Sequence, residues 1–206
     1  MDSEAKNRKK ANGEFFDKVV DFIEHFYPGV YDGSREDYVH ADEDRFKLFE
    51  SRQRSDEDYN AWFLLKHVLA NGTNVVKTIL SFPDDYFDEG EKQMLQNLFD
   101  YRESLFEIVE ILEDGRVYVI RDLGNDEVVS VRTFDLDAGF VDGDLIKAII
   151  VKDWDGEYFF LGGIMSFKVE DRDSFVGLML LKIMVEEEVR EEICGVDVEW
   201  KDGDGE

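Results

Sequence analysis

The chain has 206 residues, of which 43% are hydrophobic, enough for one substantial domain or two small ones. Fifty acidic against 24 basic residues leave a net charge of −26, which sets the surface as a whole against nucleic acid and anionic lipid and in favour of basic partners. One cysteine and two prolines exclude a disulfide scaffold and argue for a reducing compartment, so a cytoplasmic location is expected.

Residues 1–12 carry Lys6, Arg8, Lys9 and Lys10, but Asp17, Lys18 and Asp21 interrupt any apolar run behind them. A disordered basic tail is therefore expected rather than a signal peptide. A helical region follows over 13–102. Phe15, Val19, Phe22, Ile23 and Phe26 recur at helical spacing until Pro28-Gly29, and Phe46 and Phe49 suggest a short helix over about 41–51. Ser55-Asp56-Glu57-Asp58 reads as a cap and an acidic first turn, opening a helix that carries Tyr59, Trp62, Phe63, Leu65, Val68 and Leu69 as far as Asn71-Gly72. Two further helices are expected over 74–80 and 88–101, parted by Pro83.

The periodicity then changes. Leu105 to Leu112, Val117 to Asp122, Val128 to Phe134, Leu145 to Lys152 and Tyr158 to Val169 are short runs rich in Val, Ile, Phe and Tyr. Between them lie Glu113-Asp114-Gly115, Gly124-Asn125-Asp126, Asp142-Gly143-Asp144 and Asp153-Trp154-Asp155-Gly156, all turn-forming. A small antiparallel barrel over 103–169, SH3-like or OB-like, is predicted, with Gly162-Gly163 as a bend or bulge at a corner.

The same stretch carries Ser104-Leu105-Phe106-Glu107-Ile108-Val109-Glu110, Val119-Ile120-Arg121-Asp122-Leu123, Val129-Ser130-Val131-Arg132 and Gly143-Asp144. In that order these elements resemble a small domain of prokaryotic proteins that often carry a SEC-C zinc motif, over roughly residues 93–168. The resemblance implies a barrel used as a module in regulatory or adaptor proteins and offers no catalytic residue. In those relatives zinc sits on a Cys-x-Cys pair and a His-Cys pair. Here Cys194 stands alone and no histidine follows His67, so the zinc motif is absent.

A long helix is expected over 170–195, its first half apolar almost all round and hence buried on several sides, either within the chain or against a second copy. Phe175, Leu178, Met179, Leu181 and Val185 are the residues through which a homodimer would form. Val196 to Trp200 offers one more strand within an acidic tail over 196–206. No apolar run approaches the roughly 20 residues of a membrane span.

Chemistry-bearing patterns are sparse. His40 lies among Asp37, Asp42 and Asp44, a set that suits a divalent ion or an oriented base, although neighbouring acids arise readily in so acidic a chain. Asp135-Leu136-Asp137 begins like a calcium loop but lacks the required glycine and terminal glutamate. Asp84, Asp85, Asp88, Glu89 and Glu91 suit a helix start without an ion. No nucleophile elbow, phosphate loop or cofactor motif is present, so no cofactor is expected. On the barrel, Arg121, Arg132 and Lys147 with Tyr118 and Tyr158 are candidates for contacts to single-stranded nucleic acid, against a stretch in which acids outnumber bases. The expectation is thus an α+β protein with a helical N-terminal half, a small barrel and a long C-terminal helix. It acts as a non-catalytic, acidic module for a protein partner with basic character. A nucleic-acid-binding barrel and a metal-dependent enzyme near His40 are the alternatives.

Overall fold

The computed structural model describes residues 3–39, 56–83, 86–133, 139–167, 173, 175–181 and 183–184. Helix α1 spans Ser3–Phe26 and α2 Val30–Gly33, with a further helical turn at 35–39. Helices α3 (Asp56–Leu65), α4 (Val75–Leu80) and α5 (Glu89–Phe99) complete the described helical half. The expected helix over 41–51 lies outside the described residues, as do most of 170–195 and all of 196–206.

Two helix boundaries depart from the sequence expectation. Residues 3–12 are the first turns of α1, not a disordered tail. The pair Lys10–Glu14 at 3.4 Å supports that end, and the Trp154 indole donates to Asn12 Oδ1 at 3.1 Å while its ring packs on Phe15. Helix α3 stops at Leu65, not near Asn71. Asn74 explains this: its side-chain amide donates to the Leu65 carbonyl at 3.2 Å, and its Oδ1 accepts the Lys77 N–H at 2.8 Å. One buried side chain therefore ends α3 and caps α4. Helix α5 starts on a capping box in which Asp88 and Glu91 exchange backbone bonds. Glu91 also pairs with Lys18 of α1 at 2.6 Å. Asp88 and Glu91 of that acidic cluster thus serve the start of the helix, and Asp84 and Asp85 lie outside the described residues.

Five strands follow, β1 (Arg102–Leu112), β2 (Val117–Asp122), β3 (Val128–Arg132), β4 (Leu145–Lys152) and β5 (Tyr158–Phe167). The sheet order β1-β2-β3-β5-β4 closes on itself, because β4 pairs back to β1. All ladders are antiparallel except a two-residue parallel contact of β3 with β5. The protein is thus of mixed α+β class.

Alternation divides each strand between two environments. Phe106, Ile108, Tyr118, Ile120, Val131, Ile146, Ala148 and Ile150 point inward and fill the closed sheet. Outward residues of β4 and β5, among them Val151 and Phe159, join a second core with α1, α3, α4 and α5. Farther along the same outer wall, Leu105, Leu145 and Phe167 pack against Met179 and Ile183 of the helical residues 175–181 and 183–184. The helical half and these helical residues cover neighbouring parts of one wall.

Candidate functional site

Between those two covered areas the outer wall carries charge. Along β4 the outward positions read Leu145, Lys147, Ile149 and Val151, so a lysine interrupts an apolar row. Lys147 is only 3% exposed, and its ammonium lies 2.9 Å from Glu103 Oε1 on β1. The register sets Leu105 opposite Lys147 and Glu103 opposite Ile149, which places the pair on a same-face diagonal. The other oxygen of Glu103 meets Lys66 Nζ, just beyond α3, at 2.5 Å. One carboxylate therefore joins two strands of the sheet to the helical half.

The three residues line a cleft of about 90 Å³ with Tyr38, Trp62, Asp58, Leu161, Gly162, Gly163 and Met165. The closeness of α3 to β5 depends on Gly162. Its φ is +69°, and a Cβ there would lie 2.8 Å from Ala61 Cβ. Here β5 bulges, since Lys147 pairs with Met165 but Ile149 with Leu161. The amide of Gly163, exposed by that bulge, donates to Asp58 Oδ1 at 2.5 Å. Two ammonium groups thus share one glutamate across the seam, an aspartate binds the Gly163 amide beside them, and the rest of the cleft wall is largely apolar.

Beside the cleft lies an aromatic group. His67 is 8% exposed, stacked on Phe63 at 5.5 Å and tilted against Trp62 at 5.3 Å. It sits after α3, not on it as expected. Burial lowers its pKa, with Asp37 opposing. The Tyr59 hydroxyl meets Ser34 Oγ at 2.7 Å and donates to the Tyr31 carbonyl. Burial raises the Tyr59 pKa, countered by the Ser34 bond.

The barrel residues singled out from sequence do not gather into one strip. Arg121 pairs in register with Val128 and Arg132 with Val117, at opposite ends of the β2–β3 ladder, roughly 13 Å apart at strand rise. Arg121 faces Glu107 at 3.6 Å, while Arg132 reaches Glu157 at 2.6 Å and Glu113 at 3.6 Å. Lys147 belongs to the covered seam. Tyr118 is 3% exposed inside the closed sheet against Phe140 and Phe160, so its ring cannot receive a base. Tyr158 is half-buried beneath Arg102 and Lys152.

Of the metal candidates, Asp37 is exposed on the helical turn at 35–39, and His40, Asp42 and Asp44 lie outside the described residues. Among the described residues no three His, Cys, Asp or Glu side chains gather as ligands, and no helix is long and apolar enough to cross a membrane. The zinc of SEC-C proteins does not fit this chain, whose one cysteine cannot supply that ligand set.

The described part of the expected helix over 170–195 corrects another expectation. It is not buried all round: Met179 and Ile183 are each 7% exposed, whereas Leu178, Leu181 and Met184 are 69%, 60% and 61% exposed. Phe175 is half-buried against Phe167 at 4.8 Å, and Val185 lies outside the described residues. Sequence reading missed Glu103 and Lys66 altogether. The available signal was a charged residue at Lys147 with apolar neighbours at every second position. No protein-family model, no curated protein and no solved structure matches this chain.

Proposed function

We propose that this chain is a non-catalytic, acidic interaction module that recognises a protein partner of basic character. In this reading the closed sheet serves as a small SH3-like or OB-like barrel, and the module works in the cytoplasm. The observation that carries it is the fate of the barrel cations. Arg121, Arg132 and Lys147 each face carboxylates of their own chain, so the field outside the barrel follows the net charge of −26. Such a field attracts a basic protein and repels a polyanion. The resemblance of the barrel sequence to modules of SEC-C proteins points the same way.

The test is capture from native lysate at low salt, followed by identification of what is retained. The expected result is a basic protein that leaves at about 1 M salt, where the Debye length falls to roughly 3 Å, and rebinds when purified. The parallel variant is Arg121→Ser with Arg132→Ser. Lys147 is left alone because its removal would disturb Glu103. Nucleic acid held by the parent and lost from this variant would reverse the assignment, as would the absence of any retained protein.

A further inference from the structure

A strand row that packs against helices is ordinarily apolar, and charge within it needs a reason. Stability alone supplies none, because exchanging a buried ion triad for apolar side chains of like volume is often neutral or stabilising. Here two lysines and a glutamate stand on the wall of a cleft of about 90 Å³. Their exposure is graded. The side chains of Lys66, Glu103 and Lys147 are 18%, 11% and 4% exposed, which sets Lys66 at the mouth and Lys147 at the floor. Charges that converge in a small cleft with largely apolar walls are the ordinary make-up of a ligand pocket.

Along the cleft the walls pass from cationic to apolar to anionic. Met165 on β5 stands opposite Lys147, and two residues farther along β4 Ile149 stands opposite Leu161, a step of roughly 7 Å at strand rise. Trp62 of α3 completes this apolar stretch. Asp58 lies at the far end, eight residues before Lys66 and roughly 12 Å from it at helical rise. Its Oδ1 accepts the Gly163 amide.

From this arrangement we infer that the cleft binds a short aliphatic monocarboxylate. The carboxylate takes N–H donors from Lys147 and Lys66 beside Glu103, since an ammonium carries three donors and the glutamate engages each lysine through one oxygen. The tail runs past Ile149 and Leu161 toward Trp62. Space sets its length: about 90 Å³ equals the liquid share of roughly three waters, and the step from Lys147 to Ile149 suits an extended chain of about four carbons. A cation of that size meets two ammonium groups. A dicarboxylate turns its second charge toward Asp58. An inorganic anion leaves the apolar stretch unused and gives up its hydration for little. The site goes beyond the partner reading above and does not depend on it.

The probe is butyrate, with butylamine and glutarate as charge controls at matched ionic strength. Saturation-transfer NMR on the full chain reads binding, and thermal melts read the stabilisation that a ligand of the folded state confers. The expected result is a butyrate Kd of about 1 mM, with butylamine and glutarate at least about tenfold weaker. Lys66→Met with Glu103→Leu and Lys147→Met keeps the seam filled, removes its charges and weakens butyrate at least about tenfold. Lys66→Gln, a milder change at the mouth, weakens it about threefold. Asp58→Asn keeps an acceptor for the Gly163 amide and admits glutarate while leaving butyrate unchanged, an effect that a purely structural Asp58 would not give. No butyrate binding at about 20 mM overturns the inference. Equal binding of butyrate by parent and triple variant overturns it too, as does butylamine or glutarate held by the parent as tightly as butyrate. If the triple variant fails to fold, unchanged butyrate affinity in Lys66→Gln is the overturning result.

Discussion

Glu103→Gln is the most informative single change, because one carboxylate serves two ammonium groups at 2.5 and 2.9 Å. The variant keeps the volume and removes the charge. Lys147, with a side chain 4% exposed, has no way to water without opening the seam; Lys66 Nζ is also shut from solvent, but its side chain is 18% exposed and can swing outward. Removing one partner of a buried pair costs about 3–5 kcal/mol, and since Lys66 can reorient while Lys147 cannot, the lower end applies, about 3 kcal/mol. That is a large share of the roughly 5–15 kcal/mol holding a domain together. With a urea dependence of about 2 kcal/mol per molar, the unfolding midpoint falls by about 1.5 M. Equilibrium urea unfolding followed by tryptophan fluorescence reads this directly. The companion variant, Lys66→Met with Glu103→Leu and Lys147→Met, replaces all three charges with apolar bulk and is expected within about 2 kcal/mol of the parent, on either side. A midpoint shift under about 0.5 M for Glu103→Gln would refute the assignment of the glutamate as the clamp between helical half and sheet.

Three further outcomes follow from local geometry. Gly162→Ala meets both a φ of +69° and Ala61 Cβ at 2.8 Å, so a loss of about 2–4 kcal/mol is expected; adding Ala61→Gly should return the steric part, and no recovery in thermal melts would place the strain elsewhere. Asn74→Ala removes the end of α3 and the cap of α4 together, for about 2 kcal/mol and a melting point lower by roughly 4–8 °C; a drop below about 2 °C contradicts the double role. Burial lowers the His67 pKa from its ordinary 6.5, so the folded chain binds this proton less readily than the unfolded one. The resulting stability is complete above pH 6.5 and is lost as pH falls through 6.5 toward the lowered folded value. His67→Gln should therefore flatten the fall in urea midpoint between about pH 7.5 and 5.5, and parallel slopes in parent and variant would show that His67 is not the group responsible.

Strand placement was legible because alternation and turn residues are local signals. The observed bounds Val117–Asp122 and Leu145–Lys152 coincide with those read from sequence, and the bend expected at Gly162-Gly163 is the bulge of β5. Helix ends were less legible. The stop of α3 is made by Asn74, nine residues beyond Leu65, and α1 is met at Asn12 and Phe15 by Trp154 from a distant turn. Neither contact leaves a mark in the sequence around the helix it fixes.

By itself, the sequence determined the charge of −26, the change from helical to alternating period near residue 102, and the lack of a zinc ligand set around Cys194, since each depends only on composition or local spacing. Tertiary structure alone decided that Lys147 is buried in the seam beside α3 rather than on a nucleic-acid face, that Tyr118 fills the closed sheet, and that Leu178, Leu181 and Met184 face solvent. Those outcomes depend on which wall of the sheet each neighbour covers. Period-two alternation assigns a side chain to a face, but only the packing of distant segments determines what that face meets.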